Sequence, residues 1–271
     1  MAGGSAARGR RSEKAGGEPA ARRSVQSITR ALEIIEALAA TGRPIGITEL
    51  AERVDLPLPT IHRILHTLIG PGYVFQTPRR HYALGARLIS LSRYAGGTLG
   101  VTLRPYLSGV VEASGESASI AVLDQDFARY ISHVPAEYPN RVTTEVGSLV
   151  SLHATGVGKA ILASMPAAEA RAIIQRSGLR PFTPNTVTDA DRLLAELDTV
   201  RANGYALDRE EHERGILCVA VPIPGPLRLA ASVAGSPTRM TDQILSDVVL
   251  PALRSAVAEI APVIDLAVSG Q

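Results

Sequence analysis

The sequence predicts an α+β chain made of a small helical domain that ends in a hairpin, followed by a larger mixed domain. Apolar residues at helical spacing dominate the first 85 residues, whereas strand and helix patterns alternate beyond residue 103. Charge is also divided: residues 1–100 carry 14 Lys/Arg against 7 Asp/Glu, and residues 101–271 carry 14 against 19. A basic N-terminal part next to an acidic remainder indicates a segment that faces nucleic acid.

Composition narrows the protein class. The 271 residues are 45% hydrophobic and 20% charged, which is typical of a soluble globular chain of one or two domains. No apolar run approaches the ~18–20 residues that span a bilayer, and the first ten residues have no apolar core, so neither a membrane anchor nor a secretory signal is expected. The single cysteine, Cys218, excludes an internal disulfide framework and a multi-cysteine metal site. We therefore expect a cytoplasmic protein.

Residues 1–23 form a basic arm in which Gly, Ala, Arg and Ser predominate. Six basic and two acidic residues give it a charge of +4, and it has almost no large apolar side chain. Such a segment buries too little surface to offset the entropy of ordering, so we expect disorder. Two interpretations remain open: a solvated tail, or a weak electrostatic arm for DNA phosphates.

The following segment predicts two helices. Apolar residues at helical spacing define the first, which Gly42 and Pro44 end. The second runs from Thr48, the expected N-cap, to Val54. The inward-facing residues of the first helix are expected to be Ile28, Ala31, Leu32, Ile35 and Leu38.

A third helix, from about Pro59 to Leu68, is the candidate for reading DNA. Ile61, Ile64, Leu65 and Leu68 make an apolar stripe, and the opposite face carries polar and basic side chains but no acid. A helix in a DNA major groove needs such a face. Strands at Tyr73–Gln76 and His81–Leu84 then enclose a basic tip that can reach phosphates. The candidate DNA-binding residues are Thr48, Pro59, Thr60, His62, Arg63, His66, Arg79 and Arg80; the alternative is an exposed polar face without a partner.

A helix at Ala86–Leu99, hinged at Gly96-Gly97, is predicted to link the two domains. The second domain shows six strand patterns with helices before, between and after them, which indicates an antiparallel sheet. The predicted strands are 117–123, 129–134, 141–146, 205–207, 216–222 and 229–234. The predicted helices are 103–114, 156–163, 167–176, 189–203 and a last helix from the N-cap Thr241, with Ile244 among its inward residues.

A ligand pocket is predicted in this second domain. Gly156 lies at a helix start, where free N–H groups and the helix dipole favour an anion. Asp208 and Cys218 lie at the edges of strand patterns and are candidates to face the same cavity. Small residues around Ser232 leave room beside the sheet. The alternative interpretation is tight packing of a helix on a sheet.

Several stretches, taken in order, make the chain resemble the IclR family of bacterial transcriptional regulators over residues 24–265. The stretches are Ser24–Leu32, Leu56–Leu65, Gly72–Val74, Tyr82–Gly85, His153–Ala160, Gly204–Asp208, Glu210–His212, Gly215 and Cys218–Ala220. The resemblance implies a winged helix-turn-helix at 24–85, a linker helix at 86–102 and a GAF-like effector-binding domain at 103–266. It further implies a homodimer or dimer of dimers on a palindromic operator.

In the family, small carboxylates bind the effector domain, and the resemblance assigns this role to Gly156, Val157, Asp208, Cys218 and Ser232. The expected function is therefore a DNA-binding regulator, with repression favoured over activation, whose DNA affinity responds to a carboxylate. Some positions depart from the family pattern. Leu58-Pro59-Thr60 replaces a Lys-Ser-Thr start that anchors phosphate, and Ala234 replaces a serine in the pocket.

Two other functions are considered. One is an enzyme with Cys218 as nucleophile, aided by Asp208 and by His153 or His212. The other is a metal sensor that uses the same four residues, although no closely spaced ligand pair supports it. The favoured interpretation involves no catalytic residues, no cofactor, no metal and no membrane.

Overall fold

The computed structural model describes residues 25–139 and 141–269, so the predicted arm at 1–23 lies outside the described residues. The chain divides into two compact units, Met1–Leu91 and Ser92–Gln271. Each unit has its own buried core and is described by itself.

The N-terminal unit is a three-helix cluster closed by a hairpin. Its buried core joins all three helices to the hairpin, and Ile45 pairs with Tyr82 through two backbone hydrogen bonds of 3.0 and 2.7 Å. This pairing attaches the segment between the first two helices to the second strand. The elements are α1 (Gln26–Thr41), α2 (Ile47–Val54), α3 (Leu58–Ile69), β1 (Val74–Gln76) and β2 (Tyr82–Leu84).

Two predictions for this unit are wrong in detail. The N-cap of α2 is Gly46 and not Thr48, which is the exposed second residue of the helix. The buried face of α1 centres on Ile34 and Leu38, whereas Ile28 and Leu32 are 59% and 54% exposed. The first buried residue of α1 is Ile34, so apolar spacing in its first two turns does not produce burial.

The predicted hinge at Gly96-Gly97 is also wrong, because α4 (Arg87–Ser114) is continuous and absorbs the helix expected to start at residue 103. Its C-terminal part is held by the sheet of the second unit. A Cβ on Gly100 would lie 1.9 Å from the carbonyl oxygen of Ile131, and the Ser132 hydroxyl donates to the Gly100 carbonyl at 2.9 Å. Glycine here serves close packing on a strand and does not break the helix.

The second unit contains a six-stranded antiparallel sheet in the order β5-β4-β3-β8-β7-β6. One face packs against α4 and the last helix, and the other packs against the three middle helices. The strands are β3 (Ser117–Asp124), β4 (Phe127–Val134), β5 (Leu149–Ser151), β6 (Ala206–Arg209), β7 (Leu217–Ile223) and β8 (Leu229–Gly235). The middle helices are α5 (Gly156–Ala163), α6 (Ala167–Ser177) and α7 (Ala190–Asn203).

The predicted strand at residues 141–146 is wrong, and the edge strand is β5 instead. The segment bonds to side chains and not to a neighbouring strand: the Ser117 hydroxyl donates to the Val142 carbonyl at 2.8 Å, and the Thr144 N–H donates to Nε2 of His133 at 3.4 Å. It therefore forms an irregular cover at one end of the sheet.

The last helix begins after Thr241, whose hydroxyl caps it as predicted. It runs as α8 (Asp242–Ile244), a π-helical turn (Leu245–Val249) and α9 (Leu250–Ser269). The wider turn shifts the helical phase, so Ile244 is 39% exposed and not inward as predicted. Within residues 25–139 and 141–269, no helix is long and apolar enough to cross a membrane.

Candidate nucleic-acid interface and ligand site

An open cleft of about 720 Å³ lies between the exposed face of α3 and the β1–β2 hairpin. It brings together five of the eight candidate DNA-binding residues. The apolar stripe of α3 turns inward and buries Ile61, Ile64 and Leu65, which forces the polar face outward. The five candidates that line the cleft are Pro59, His62, Arg63, His66 and Arg80.

The basic side chains of this surface differ from others in the same unit. Arg43 and Arg53 both bind Glu49, at 2.7 and 3.3 Å. Arg63, Arg79 and Arg80 are exposed and have no carboxylate partner among the residues that the structure describes. Their charges therefore remain available for an external anion such as a phosphate.

The remaining candidates lie elsewhere. Thr60 is half-buried and lines a separate groove between α1 and α3, together with Arg30 and Arg63. Thr48 is exposed on α2, and Arg79 is exposed at the hairpin tip; neither lines the cleft. The structure thus groups four of the five α3 candidates with one of the two hairpin arginines.

The hairpin tip holds Arg80 in a left-handed conformation with φ of 58°. The turn is closed by hydrogen bonds from Arg80 N–H to the Thr77 carbonyl at 2.9 Å and from Thr77 N–H to the His81 carbonyl at 2.8 Å. This backbone region favours glycine, and a long side chain there is strained.

The second candidate site lies at the start of α5. Thr155 caps this helix: its hydroxyl oxygen accepts from Gly158 N–H at 3.2 Å, and its carbonyl accepts from Lys159 N–H at 2.9 Å. Within the part of the chain that the structure describes, Val157 N–H has no hydrogen-bond acceptor. Val157 is fully buried, so this unpaired N–H lies in the interior at the start of the helix.

The sheet places polar groups directly against this helix start. Asp208 on β6 pairs in register with Cys218 on β7, and Ser232 on β8 pairs with Ala220, the next residue of β7 on the same face. A Cβ on Gly156 would lie 3.0 Å from the Cys218 sulfur. The structure therefore brings Gly156, Asp208, Cys218 and Ser232 to one face of the sheet.

Burial determines the protonation of these groups. Desolvation raises the pKa of the Asp208 carboxyl to about 7, with backbone N–H groups of Glu211 and His212 partly opposing it. Desolvation and the nearby Asp208 raise the pKa of the Cys218 thiol to about 12, although the Ser232 hydroxyl and the Gly156 backbone face the sulfur and oppose the shift. The Cys218 thiol is therefore neutral at pH 7, whereas the Asp208 carboxyl titrates close to pH 7.

Sequence reasoning missed two residues beside this site, Tyr130 and Lys159. Burial raises the pKa of Tyr130 on β4, and its electrostatic interactions with Cys218 and Asp208 raise it further. Lys159 is fully buried and binds Glu196 and Glu211. The signal for Lys159 was available, because only two of the 28 cationic residues are lysines and the other is Lys14.

The alternative functions find little support in this geometry. His153 already uses both ring nitrogens, Nδ1 with the Ser151 hydroxyl at 2.6 Å and Nε2 with the Arg180 carbonyl at 3.0 Å. In the described ranges, His153, Asp208, His212 and Cys218 do not form a group that can hold a metal ion. The raised pKa of Cys218 also disfavours the thiolate that a nucleophile requires.

Comparisons with known proteins agree with this architecture. Residues 27–78 match the IclR helix-turn-helix domain, and residues 99–262 match the C-terminal domain of the bacterial transcriptional regulator IclR. The chain is 33% identical over 231 residues to the transcriptional repressor IclR of Escherichia coli K12, with 82% of this chain and 84% of the relative covered.

Two solved structures are informative. The IclR structure from Thermotoga maritima superimposes with a TM-score of 0.60 and 26% identity, covering 89% of this chain and all of that one. The inducer-binding domain of PobR from Acinetobacter, a double mutant in complex with 3-hydroxybenzoic acid, gives a TM-score of 0.55 and 30% identity over 60% of this chain and 97% of that one. The helix-turn-helix unit, the mixed second unit and these matches together show that the chain belongs to the IclR family of bacterial transcriptional regulators.

Proposed function

We propose that this regulator is a repressor that binds a specific DNA sequence and changes its DNA affinity when a small carboxylate occupies the second unit. The observation that carries the ligand part is the start of α5, where the free Val157 N–H lies at a buried helix terminus above the Asp208–Cys218 pair. A helix N-terminus with an unused donor favours a negatively charged group.

The DNA-binding part is supported by the cleft between α3 and the hairpin. We propose that His62, Arg63 and His66 face base edges, while Arg79 and Arg80 bind phosphates that flank the groove. The proposed partner of Pro59, Thr60 and Thr48 is the sugar-phosphate backbone of the DNA. The first two residues lie at the start of α3, and Thr48 lies at the start of α2. The absence of acidic residues from α3 removes a source of repulsion from phosphate.

The ligand part assigns Gly156 and Val157 as backbone donors, and Asp208, Cys218 and Ser232 as side-chain contacts. The PobR inducer-binding domain supports this class of ligand, because its structure contains an aromatic carboxylic acid on a related fold. A ligand shifts DNA binding only through a difference in its affinity for the DNA-competent and DNA-incompetent states.

Two copies of the chain on a palindromic operator complete the proposal. Helix-turn-helix proteins reach two half-sites as dimers, and the symmetry of the operator mirrors that of the protein. We propose a homodimer or a dimer of dimers on this basis, with repression favoured by the E. coli relative.

The DNA part is tested by fluorescence anisotropy with the full chain and a labelled duplex from the region upstream of its own gene. A random duplex of equal length is the control, and each titration is run at two salt concentrations. We expect tight and sequence-selective binding. The logarithm of the association constant should fall linearly with the logarithm of the salt concentration, with a slope set by the number of phosphate contacts. Absence of binding to both duplexes at low salt would contradict the DNA-binding assignment.

The ligand part is tested on the same complex with 3-hydroxybenzoate, benzoate and acetate, and with the neutral 3-hydroxybenzamide as control. We expect at least one carboxylate to change DNA affinity while the amide leaves it unchanged. A change produced equally by the amide would show that the carboxylate charge is not what the site recognises.

A further inference from the structure

A buried cluster of charged side chains lies behind the proposed ligand site. Lys159 on α5 is fully buried, and its Nζ donates to Glu196 on α7 and to Glu211, both at 2.6 Å. Glu211 is 6% exposed, and its Oε2 is buried without a hydrogen-bond partner in the described structure. The single ammonium is therefore already shared between two carboxylates.

Asp208 adds a third carboxyl to this cluster. It is 3% exposed, and its Oδ1 accepts from Glu211 N–H at 2.7 Å and from His212 N–H at 3.4 Å. Cys218 on β7 lies opposite it in register, and Tyr130 on β4 and Lys159 on α5 interact with it electrostatically. Apart from Lys159, no lysine or arginine of the described residues pairs with Asp208 or Glu211.

Charge counting then constrains the site. Three ionised carboxylates beside one ammonium would leave a net charge of −2, and this is costly because Asp208 and Glu211 are both buried. Entry of a carboxylate ligand next to Asp208 would add one more negative charge. A proton shared between two neighbouring carboxyl groups relieves this repulsion, as in sites where two carboxylates lie together.

We propose that a carboxylate ligand binds together with a proton, which Asp208 holds and donates to the ligand in a hydrogen bond, and that Lys159, Glu196 and Glu211 are positioning residues that set the pH range of this uptake. The proposal rests on the carboxylate function proposed above. The step is balanced: the protein, one ligand anion and one solvent proton give one complex, and no covalent bond changes.

A pH dependence with a definite sign follows. Burial raises the pKa of free Asp208 to about 7, and a bound anion raises it further. Below that pKa the proton is already present, and above it each binding event must take a proton from solvent. The dissociation constant of a carboxylate ligand should therefore increase as pH rises, by up to roughly tenfold per pH unit above neutrality.

The experiment uses isothermal titration calorimetry of the full chain with 3-hydroxybenzoate and acetate at pH 6, 7, 8 and 9. Each titration is repeated in two buffers that differ in ionisation enthalpy, which gives the number of protons taken up. The neutral 3-hydroxybenzamide should show no uptake. In parallel, carbon-13 NMR of the Asp208 carboxyl, assigned with Asp208→Asn, reports its titration in the ligand-free protein and requires no ligand.

Variants separate positioning from simple structural support. Asp208→Asn should give a dissociation constant for 3-hydroxybenzoate that no longer changes with pH, because its amide donates at every pH. Glu196→Gln leaves Lys159 free to attract Glu211 and Asp208, so the fall in affinity should begin at lower pH. Glu196 retains partial exposure of its side chain, 32%, which favours a folded variant. The exposed Asp247→Asn should leave the pH profile unchanged.

The outcomes separate this proposal from the function on which it rests. Carboxylate binding without proton uptake would overturn the proton step and leave the carboxylate function intact. An Asp208 carboxyl that titrates like an exposed aspartate would also overturn the proton step without affecting the carboxylate function. Failure of all carboxylates to bind between pH 6 and 9 would overturn the proposed ligand class and the proton step together.

Discussion

Gly156 at the start of α5 lies directly against Cys218 on β7: a Cβ added to the glycine would be 3.0 Å from the sulfur and 3.3 Å from the Cys218 carbonyl oxygen. The helix start and the strand are therefore separated by little more than one layer of atoms. The position of the free Val157 donor depends on this contact, because the two residues are adjacent in the first turn.

Gly156→Ala should weaken carboxylate binding by roughly tenfold or more, since the methyl group pushes the first turn away from β7 and a charge-assisted hydrogen bond of about 1.5–3 kcal/mol is lost or lengthened. Calorimetry with 3-hydroxybenzoate measures the change. Gly109→Ala is the matched control, because Gly109 lies in α4 with nothing within 4 Å of its added Cβ. The control should keep ligand affinity and gain up to about 1 kcal/mol of stability. Equal affinity of the two variants for 3-hydroxybenzoate would show that the contact between Gly156 and Cys218 does not contribute to ligand binding.

Arg63→Ala should weaken specific DNA binding by roughly 1–3 kcal/mol if the side chain contacts a base edge. The fold should persist, because Arg63 is exposed and has no acidic partner in the described structure. Arg53→Ala is the control in the same unit, since Arg53 already binds Glu49. Anisotropy against operator and random duplexes gives the selectivity. A variant that preserves the preference for operator would exclude Arg63 from base readout.

Arg80→Gly should move stability and DNA affinity in opposite directions. Glycine relieves the strain of φ at 58°, so the free energy of unfolding should rise by up to about 1 kcal/mol. DNA affinity should fall, and the salt dependence should decrease by the contribution of one phosphate contact. Arg79→Gly, at a neighbouring position without positive φ, should lower both quantities. If Arg80→Gly gains stability and retains full DNA affinity, the arginine at the tip has no role in DNA binding.

Stability should also depend on pH through Asp208. Because burial raises its folded pKa to about 7 from 3.8, the folded state holds a proton that the unfolded state releases, and stability is lost as pH rises from about 4 through 7. Asp208→Asn removes this loss. Relative to the native chain, the variant should therefore gain stability between pH 5 and pH 8, by at most ~3 kcal/mol, because about two pH units of the loss fall in this range at 1.36 kcal/mol per unit. Urea unfolding of both proteins at the two pH values measures the difference, and a constant difference would contradict the pKa shift.

The sequence predicted the elements that depend on local patterns. The stripe of α3 follows from apolar periodicity, and the start of α5 follows from the glycines at its first turn; both are confirmed. The strand predicted at 141–146 is wrong because the backbone of this segment forms hydrogen bonds with side chains of β3 and β4. These contacts are distant in the chain and leave no local signal in the sequence. The hinge predicted at Gly96 and Gly97 is wrong because α4 continues through both residues, and the packing of Gly100 against β4 one turn later has no local signal.

The candidate ligand site also combines residues that local patterns predict with residues that only long-range contacts bring together. Gly156 follows from local helix-start chemistry, but the proximity of Tyr130 depends on strand order, which places β4 and β7 on one sheet with β3 and β8 between them. The ion pairs of Lys159 join residues 37 and 52 positions apart in the chain. Such long-range contacts leave no periodic signal in a single sequence.

The burial of Lys159 gives the protein a built-in chemical reporter. The sequence contains only two lysines, so amine-reactive acylating reagents have few targets besides Lys14 and the terminal amine. Lys159 is fully buried, and both of its carboxylate partners keep its amine engaged. Its acylation thus requires local opening of the second unit, and the rate of mass gain on the peptide that contains Lys159 would measure how often that opening occurs.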